Sequence, residues 1–411
     1  MGVKNIDKKV KVKDYGRFPN RLLYFVAAIL LKAFITPFFH VSWKVDPCIK
    51  DLKPPVTVIA NHPSYLDPFL VGCALYPLKI NFIAASSFFA NKKIEPLLYF
   101  GGAIPKTQFR ADTSAIKSMF KIIKRGGVLG IFPEGARSID GTSLPIEKSI
   151  TKFIKKTGGS VVVAISHGAY LTWPRWSCSK FRRGLIELDI HLLFTSEQVE
   201  SCDAQKLHSE IVEALKFDEY DWQKEHMVRF ITKSPAKGLH NILHQCPSCK
   251  GSWCTDTTDF TLFCKLCGNT AIIDLYGFLH PQSETSVVFD TVTKWNRWQI
   301  SELSVTVQSA NYVLEEEAEM MISENESPYK LSGSGLIRLD LSGFNFEGTN
   351  LDGKINIEFP LLGVLGISSD FGIGFDLVSD KFTYRFILKN GQKTISFSHY
   401  LELLREDKKL N

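Results

Sequence analysis

The chain has 411 residues, which is more than one ordinary hydrophobic core accommodates and predicts two or three domains. Its content of 45% hydrophobic and 12% aromatic residues is typical of globular proteins and excludes a largely disordered chain. The formal net charge of +6 is modest, so the distribution of charge along the chain carries more information than its total.

The first residues of the chain are strongly basic, with only Asp7 and Asp14 as acidic counterweights. The basic residues are Lys4, Lys8, Lys9, Lys11, Lys13, Arg17 and Arg21. Next to an apolar helix, such a run favours binding to anionic lipid head groups, although a solvated tail is the alternative. We therefore expect a membrane-associated protein with this segment on the cytoplasmic face.

An apolar stretch, "LLYFVAAILLKAFITPFFHVSW", follows at residues 22–43. It is too long for the apolar region of a secretory signal, and no small-residue cleavage site follows it. Lys32 in its middle and Pro37 near its end argue against a spanning helix. We expect a helix pair that dips into the membrane or lies at its interface, with Trp43 and Lys44 near the surface; a buried core helix is the alternative. Residues 1–44 would then be a basic tail and docking helices.

Between residues 56 and 194, short apolar runs alternate with helical patterns. The strand-like runs are "VTVIA", "INFIAA", "GVLGIFP", "SVVVAIS" and "GLIELDIHLLF", and the helical ones are "DPFLVGCALY", "TSAIKSMFKIIKRG" and "IEKSITKFIKK". We expect Thr113 or Ser114 to cap the second helix and Gly126–Gly127 to end it. The alternation predicts an α/β layer architecture over residues 45–235, closed by amphipathic helices at 203–232.

His62 and Asp67 follow the first of these strands, in "NHPSYLDPF". Five residues of helix turn through about 500°, so the two side chains can meet only if the chain between them turns. Pro63 favours such a turn, and the order Asp67–Pro68 is typical of a helix cap followed by the first helical residue. A turn and a cap would explain both residues without chemistry. However, a carboxylate that caps a helix can also accept from an imidazole, and such a pair suits a general base.

Two further turns carry glycine and basic side chains, "GGAIPKTQFR" at residues 101–110 and "IFPEGARS" at 131–138. Each ends an apolar run, where charged residues are a poor choice unless something polar binds there. Arginine is the natural partner of a phosphate, because its planar fork donates two hydrogen bonds at once. The two turns therefore indicate an anion site near His62.

Together, "NHPSYLD", "GGAIPK", "FPEGARS" and "VVVAIS" occur in the order and spacing of the glycerolipid acyltransferases. Residues 20–215 resemble this family, the group that contains 1-acylglycerol-3-phosphate acyltransferase. The resemblance implies a mixed sheet flanked by helices, with His62 as general base for the acceptor hydroxyl and Asp67 orienting it. It also implies that the glycerol-phosphate head is bound by Glu134, Gly135 and Arg137, together with Lys106 or Arg110.

The sequence departs from the family pattern at two places. The second motif usually has an arginine shortly after its isoleucine, whereas here Lys106 follows Ile104 closely and Arg110 lies further on. The fourth motif usually ends its strand with proline, and Ala164 takes that place here. Both departures concern the assignment of the acceptor more than the chemistry.

The reaction implied is direct acyl transfer from acyl-CoA or acyl carrier protein to a lysophospholipid, without a further organic cofactor. Lysophosphatidate is the first acceptor to consider, and glycerol-3-phosphate or another lysophospholipid comes next. The chain lacks the G-x-S-x-G elbow of an acyl-enzyme mechanism, and Ser64 is expected to bond the turn backbone rather than act as nucleophile. A non-catalytic lipid- or protein-binding adaptor is the competing class.

Five of the nine cysteines lie between residues 246 and 267. "CPSC" and "CKLCG" form a CxxC…CxxC array, in which two pairs of thiolates satisfy tetrahedral zinc. We predict a closed, structural zinc site, with unligated thiols or an iron site as alternatives. The ligands would be Cys246, Cys249, Cys264 and Cys267. Cys254 is expected to be an extra thiol, while His240 and His244 could compete as ligands.

Zinc and free, scattered thiols both indicate a reducing compartment. We expect a zinc-ribbon-like module at residues 240–280 and a β-rich domain at 285–405, whose Gly-rich turns and final helix resemble pleckstrin-homology-like modules. Nucleic-acid binding is disfavoured because no dense basic and aromatic patch flanks the ribbon.

Overall fold

The structure is a computed structural model that describes residues 13–179, 181–307, 312–324, 327–379 and 381–410, with side chains up to residue 406. The basic residues Lys4, Lys8, Lys9 and Lys11 lie outside the described residues.

Residues 21–226 form a mixed sheet flanked by helices. Its strands are β1 (Val41–Val45), β2 (Val56–Ala60), β3 (Ile80–Ala85), β4 (Ile104–Lys106), β5 (Val128–Ile131), β6 (Ser160–His167) and β7 (Ile186–Phe194). The helices are α1 (Arg21–Phe38), α2 (Asp67–Ala74), α3 (Glu95–Phe100), α4 (Thr113–Lys124), α5 (Ser149–Thr157), α6 (Ala169–Thr172), α7 (Ser196–Ser201), α8 (Ala204–Ala214) and α9 (Glu219–His226).

The strands of this sheet lie in the order β1-β7-β6-β2-β5-β3-β4. Strands β6, β2, β5, β3 and β4 are parallel to one another, whereas β7 and its parallel neighbour β1 run in the opposite direction. The predicted α/β layer architecture is therefore confirmed. Because β2, β5 and β6 are parallel, their carboxyl ends meet at one edge, where open α/β sheets bind ligands.

The N-terminal apolar stretch forms one helix followed by a strand, so the predicted helix pair is wrong for the described residues. Helix α1 accommodates Pro37 in its last turn, and β1 begins three residues later. Trp43 and Lys44 lie in β1, paired with Leu188 and Asp189 of β7. The apolar stretch runs from the helix into the strand, so composition alone did not separate them.

Helix α1 is the one described helix that is long and apolar enough to cross a membrane. It packs on α2, and its Tyr24 hydroxyl accepts from the Ile80 amide at the start of β3 at 3.3 Å. Its Lys32 ammonium turns back over the Trp43 ring at 5.2 Å. The opposite face exposes an apolar stripe at helical spacing, formed by Leu22, Phe25, Val26, Ile29, Leu30, Phe34 and Phe38.

Two helix starts differ from the sequence prediction. The N-cap of α4 is Asp112, whose carboxylate accepts from the Ala115 amide at 2.9 Å, rather than Thr113 or Ser114. Asp67 is the first residue of α2 and not its cap, and the N-cap position belongs to Leu66, which makes no side-chain cap bond. The Asp67 carboxylate is therefore not engaged with the first turn of its own helix.

The cysteine-rich region forms a small antiparallel sheet of order β11-β10-β9-β8, followed by helix α10 (Val292–Val307). Its strands are β8 (Thr255–Thr257), β9 (Thr261–Cys264), β10 (Thr270–Ile273) and β11 (Leu279–Pro281). One buried core joins this region to the preceding sheet and to α10, through side chains that include Tyr170, Trp176, Leu243, Leu262, Ile273 and Trp295.

The C-terminal region is an antiparallel sheet covered by helix α11 (Lys393–Leu410). The strands are β12 (Leu314–Glu324), β13 (Lys330–Asp340), β14 (Gly343–Asn350), β15 (Gly353–Pro360), β16 (Ser368–Asp370), β17 (Gly374–Ser379) and β18 (Phe382–Leu388). They lie in the order β15-β14-β13-β12-β18-β17-β16, and Phe397 and Tyr400 of α11 are buried against them. The predicted β-rich composition is present, and the pleckstrin-homology likeness stays a prediction.

Candidate active site

The candidate site lies where strands β2 and β5 end side by side. Ile59 pairs with Ile131 in parallel register, so the chain leaves both strands at the same edge of the sheet. His62 follows β2 and Glu134 follows β5, which brings residues 72 positions apart into direct contact. The side chains of this edge are thus gathered by the sheet and not by local sequence.

His62 and Asp67 form the contact that the turn was expected to permit. The imidazole Nδ1 lies 2.8 Å from Asp67 Oδ2, which also accepts from the Ser64 amide at 2.8 Å. The His62 ring stacks on Phe132, with centroids 4.3 Å apart. A carboxylate that accepts from Nδ1–H leaves the lone pair on Nε2, the form required of a base. Within the described residues, Nε2 has no hydrogen bond.

The two members of this pair differ in exposure. The side chain of His62 is 20% exposed, whereas that of Asp67 is 1% exposed. Burial raises the pKa of Asp67, while His62 and the Ser64 amide lower it. We regard the carboxylate as ionised, because Oδ2 accepts two hydrogen bonds and Arg137 adds a favourable positive charge. The buried aspartate is therefore placed to orient the imidazole through Nδ1.

Glu134 is fixed by backbone contacts on both of its carboxylate oxygens. Oε1 accepts from the His62 amide at 3.0 Å, and Oε2 accepts from the Leu144 amide at 2.9 Å. Burial raises the pKa of Glu134 to about 8, although these two amides oppose the shift. Such contacts tie the "FPEG" turn to the histidine turn and indicate a positioning role for Glu134. Its predicted contact with a glycerol-phosphate head stays a prediction.

Asn61, which the sequence analysis did not single out, fastens the other side of the histidine turn. Its amide group donates to the Ser166 carbonyl at 3.0 Å and accepts from the Ser166 amide at 2.9 Å. This bidentate contact joins the ends of β2 and β6. Ala164, at the position where the family has proline, is buried in β6 and pairs with Ala60.

Gly135 and Gln108 join the second and third motifs. Gly135 has φ of 70°, a left-handed conformation that favours glycine, and its carbonyl accepts from the Gln108 side chain at 3.0 Å. Lys106 ends β4 and is half-buried, which lowers the pKa of its ammonium although Asp112 opposes that shift. Arg110 lies beyond Gln108 and is exposed. The choice between Lys106 and Arg110 as phosphate ligand stays open.

Arg137 lies beside the dyad, with its guanidinium 3.4 Å from the centre of the Tyr65 ring. The same ring packs against Trp173 at 5.4 Å. Burial lowers the pKa of Arg137, while Tyr65 and Asp67 oppose this shift. No ion pair within 4.0 Å neutralises this guanidinium in the described part of the chain. It therefore remains available to an anionic ligand.

The four predicted zinc ligands lie together, with their sulfur atoms within 4.8 Å of one another. Cys246 and Cys267 are 3.6 Å apart at sulfur, and Cys249 and Cys264 are 3.7 Å apart. A tetrahedron with Zn–S bonds of about 2.3 Å has edges of about 3.8 Å, and these two separations match such an edge. The structure supports a metal site here, and the identity of the metal stays a prediction.

The residues that could have competed for this metal are engaged elsewhere. Cys254 lies 3.4 Å from the Cys264 sulfur, but its thiol donates to the Gly251 carbonyl at 3.1 Å. His240 Nδ1 contacts the Thr257 hydroxyl at 3.0 Å, and His244 Nε2 contacts the Ser396 hydroxyl at 3.1 Å. Within the described ranges, neither histidine belongs to the four-thiol cluster.

Three residues near the site were not singled out from the sequence. Phe132 supports the imidazole and Gln108 links two motifs, and both lay inside quoted turns without a role assigned to them. The third is Arg175, whose guanidinium interacts electrostatically with that of Arg137. A single charged residue inside the aromatic run "TWPRW" was the one available hint.

Comparison with known proteins gives consistent matches. Residues 42–168 match the family model described as Acyltransferase. The chain is 25% identical over 179 residues to a chloroplastic 1-acyl-sn-glycerol-3-phosphate acyltransferase of Brassica napus, covering 43% of this chain and 52% of that protein. It is 26% identical over 133 residues to the 1-acyl-sn-glycerol-3-phosphate acyltransferase of Bacillus subtilis strain 168, covering 32% of this chain and 63% of that protein.

Among solved structures, the chain is similar to the 1-acyl-sn-glycerophosphate (LPA) acyltransferase PlsC from Thermotoga maritima. The TM-score is 0.40 at 19% identity, covering 51% of this chain and 81% of that chain. The matched segments span about half of the Brassica napus relative and 63% of the Bacillus subtilis one. These sequence matches support the acyltransferase family for residues 42–168, a segment that ends well before Cys246.

Proposed function

We propose that this protein is a membrane-associated O-acyltransferase. It would move a fatty acyl group from acyl-CoA or acyl carrier protein to the hydroxyl of a lysophospholipid, with 1-acylglycerol-3-phosphate giving phosphatidic acid as the first acceptor to test. The observation that carries the proposal is the buried Asp67 carboxylate, 2.8 Å from Nδ1 of the more exposed His62. The sequence matches to 1-acyl-sn-glycerol-3-phosphate acyltransferases support the same reaction class.

In the proposed mechanism, His62 acts through Nε2. It takes the proton of the acceptor hydroxyl while the oxygen attacks the thioester carbonyl, and Asp67 stabilises the imidazolium that forms. The new C–O bond forms as the C–S bond breaks, and the departing thiolate receives the proton held by His62. General-base assistance of this kind contributes on the order of 10²–10⁴ in rate.

The environment of Ser64 supports direct transfer rather than an acyl-enzyme. Its side chain is 0% exposed, and its hydroxyl accepts from the Leu66 amide at 3.3 Å. A hydroxyl buried in the turn is not accessible to a thioester. Recovery of a stable acyl group on Ser64 after acid quench would overturn the direct-transfer scheme.

The acceptor phosphate would lie near Arg137, because this guanidinium adjoins the dyad without a carboxylate partner within 4.0 Å in the described residues. Glu134 and Gly135 would keep the surrounding turn in shape through their backbone contacts. Lys106 and Arg110 remain the candidates for a further phosphate contact.

The exposed stripe of α1 supports a position at the membrane surface. A helix that packs one face on α2 and exposes a continuous apolar face fits an interfacial anchor, since that face would otherwise contact water. Lys32 points back to Trp43 and so does not oppose insertion of the stripe. The basic residues nearby favour the cytoplasmic leaflet, which is rich in anionic lipids.

We also propose that the four-cysteine cluster holds a structural zinc ion. Cys246, Cys249, Cys264 and Cys267 would supply four thiolates and leave no open coordination position for chemistry. Zinc would fix the small sheet, which shares its buried core with α10 and with the region that carries the candidate active site.

The test is an acyl-transfer assay with purified protein in lipid vesicles. Acyl-CoA and acyl carrier protein are the donors, and lysophosphatidate, glycerol-3-phosphate and other lysophospholipids are the acceptors. We expect product with at least one phosphate-bearing acceptor, greatest with lysophosphatidate, and none with His62→Ala. Absence of transfer with every donor and acceptor would refute the proposed acyltransferase activity and favour a non-catalytic lipid- or protein-binding adaptor.

A further inference from the structure

Arg175 lies in a rigid segment between α6 and the cysteine-rich region. Pro174 and Trp176 on either side of it are buried. The Trp176 indole donates to the Tyr170 hydroxyl at 2.9 Å, and the Ser177 amide donates to the Pro174 carbonyl at 3.1 Å. The backbone that carries Arg175 is therefore fixed before any ligand arrives, which reduces the entropy lost on binding.

The C-terminal domain holds the guanidinium of Arg175. Nη2 donates to the Ser369 carbonyl of β16, and the guanidinium carbon lies 4.6 Å from the centre of the Phe371 ring. These contacts use one edge and one face of the planar group. Arginine has five N–H donors, so others remain for a ligand.

Arg137 and Arg175 are brought together by aromatic side chains. Arg137 covers the Tyr65 ring at 3.4 Å, Tyr65 contacts Trp173 at 5.4 Å, and Arg175 follows Trp173 by two residues. Burial and, to a smaller extent, the positive charge of Arg137 lower the pKa of Arg175 to about 10, although Tyr65 and Asp370 oppose this shift. Neither guanidinium has a carboxylate within 4.0 Å among the described residues. Two adjacent cations without counterions are costly to bury, and an anion would relieve this cost.

The turn of residues 366–371, which contains β16, also contacts the second motif turn, at residues 101–110, directly. The Ser368 hydroxyl donates to Gln108 Oε1 at 3.3 Å, and Gln108 in turn donates to the Gly135 carbonyl at 3.0 Å. Gly366 meets the Phe109 ring so closely that an added Cβ would lie 2.3 Å from it. The C-terminal domain is thus packed against the second motif turn and is linked to the third through Gln108.

We propose that Arg137 and Arg175 form a two-arginine seat for a phosphomonoester, completed by the 366–371 turn of the C-terminal domain. The proposal deepens the proposed function and rests on it for the identity of the substrate. Two planar forks match the oxygens of one phosphate group. The C-terminal domain is then part of the binding site and not an independent appendage.

Asp370 places a negative charge near the two arginines of this seat. Its carboxylate is exposed and acts electrostatically on both Arg137 and Arg175 from a distance greater than 4.0 Å. It would partly neutralise the pair when the seat is empty and repel an arriving phosphate. Removing the charge should therefore strengthen phosphate binding, whereas removing Arg175 should weaken it.

Phosphomonoesters occur in two substrates of the proposed reaction, the lysophosphatidate acceptor and the 3′-phosphate of coenzyme A. We assign the seat to the acceptor, because Arg137 adjoins the His62–Asp67 dyad, where the acceptor hydroxyl must lie. The two sources differ in which KM responds to a variant, so one set of kinetic measurements separates them.

The experiment compares wild type with Arg175→Gln, Asp370→Asn and the exposed control Arg229→Gln. With Arg175→Gln we expect a 10- to 100-fold higher KM for lysophosphatidate, about what loss of a charge-assisted contact produces, and an unchanged KM for acyl-CoA. Asp370→Asn should lower the lysophosphatidate KM by about 2- to 5-fold, the scale of a screened exposed charge. Arg229→Gln should change neither.

Binding without turnover is measured in parallel, with inorganic phosphate as the probe and His62→Ala as the background. We expect phosphate to raise the Tm of His62→Ala, and Arg175→Gln in that background to abolish the rise. Equal phosphate binding with and without Arg175 would overturn the seat, as would a change confined to the KM for acyl-CoA. If Arg175→Gln does not fold, Asp370→Asn tests the seat, and an unchanged KM for lysophosphatidate in that variant would overturn it. The wild type could transfer no acyl group while phosphate binding still depends on Arg175. That result would refute the proposed function and leave the seat intact.

Discussion

His62 and the four-cysteine cluster are assembled from the chain in different ways. The partners of His62 lie 5 and 72 residues away, and the second of these is supplied by a neighbouring parallel strand. The thiols lie within 21 residues of one another, on a small antiparallel sheet. The histidine site lies at the edge of a seven-stranded sheet that has two hydrophobic clusters of its own. The thiol cluster belongs to a sheet of four short strands, with little core of its own apart from the one that it shares.

This difference predicts opposite consequences for single changes. A substitution in the dyad should remove activity and leave the fold intact, since Asp67 and His62 contribute little to the surrounding core. A substitution in the thiol cluster should destabilise the fold and leave the chemistry intact, because structural zinc contributes folding free energy directly. The predictions below test this contrast from its largest expected effect to its smallest.

Asp67→Asn should give the largest effect. An amide cannot stabilise the imidazolium as a carboxylate does, so we expect kcat to fall on the order of 10²–10⁴ while Tm changes by only a few degrees. Steady-state assays and thermal melts measure the two quantities. Asp203→Asn is the matched control, because Asp203 caps α8 and asparagine caps equally well. Activity within threefold of wild type for Asp67→Asn would remove Asp67 from the mechanism.

Loss of the metal should give the next largest effect, and this effect should be on the stability of the fold rather than on kcat. With Cys264→Ser we expect zinc content to fall from one ion per chain to none and Tm to fall by roughly 5–10 °C, on the scale of about 2–4 °C per kcal/mol. At low temperature kcat should change less than tenfold. Elemental analysis and melting curves provide the readout.

Cys254→Ser is the control for the metal prediction. Its sulfur is engaged with the Gly251 carbonyl, so this variant should keep one zinc ion per chain. Equal zinc loss in Cys254→Ser and Cys264→Ser would show that the ligand set is wrong.

The smallest effect concerns a buried acid behind the site. Glu219 is 0% exposed, accepts from the Gly168 amide through Oε1, and has no described partner for Oε2. Burial raises the pKa of Glu219 to about 8, from 4.5 for an unperturbed glutamate. The folded state therefore binds more protons than the unfolded state between these values, and its stability falls as pH rises from 4.5 to 8.

Glu219→Gln removes this titration. We expect wild type and variant to have similar pH dependence of Tm below pH 4.5, and the variant to gain a few degrees relative to wild type as pH rises to 9. Thermal melts at fixed ionic strength measure the difference. A constant difference across this range would mean that Glu219 is not protonated in the folded protein at neutral pH.

Much of the first domain was predictable because its strands are short, apolar and separated by clear helix signals. "VTVIA" and "INFIAA" coincide with β2 and β3, and the His62–Asp67 contact follows from a turn that the prolines favour. Strand β1 was not predictable, since its identity depends on pairing with Ile186–Phe194 far along the chain. The cap of α4 was assigned one or two residues late, because Asp, Thr and Ser all cap helices.

The surroundings of the dyad were less predictable than the dyad itself. Nothing local in "TWPRW" indicates that Arg175 lies within electrostatic range of Arg137, because a strand of the C-terminal domain holds the Arg175 guanidinium. Likewise, Glu134 carries the motif signal, but its contacts are with backbone amides that only the folded edge brings within reach. Motif spacing predicts which residues gather, while their partners depend on contacts distant in sequence.

Single-turnover release of coenzyme A tests the central claim most directly. Enzyme in excess over acyl-CoA is mixed with lysophosphatidate, and thiol release and phosphatidic acid are followed together for wild type and His62→Gln. We expect both products to form at the same rate in wild type, and His62→Gln to lower this rate at least 100-fold without weakening acceptor binding. Equal rates for the two proteins, or thiol release that precedes phosphatidic acid, would contradict direct transfer with His62 as its base.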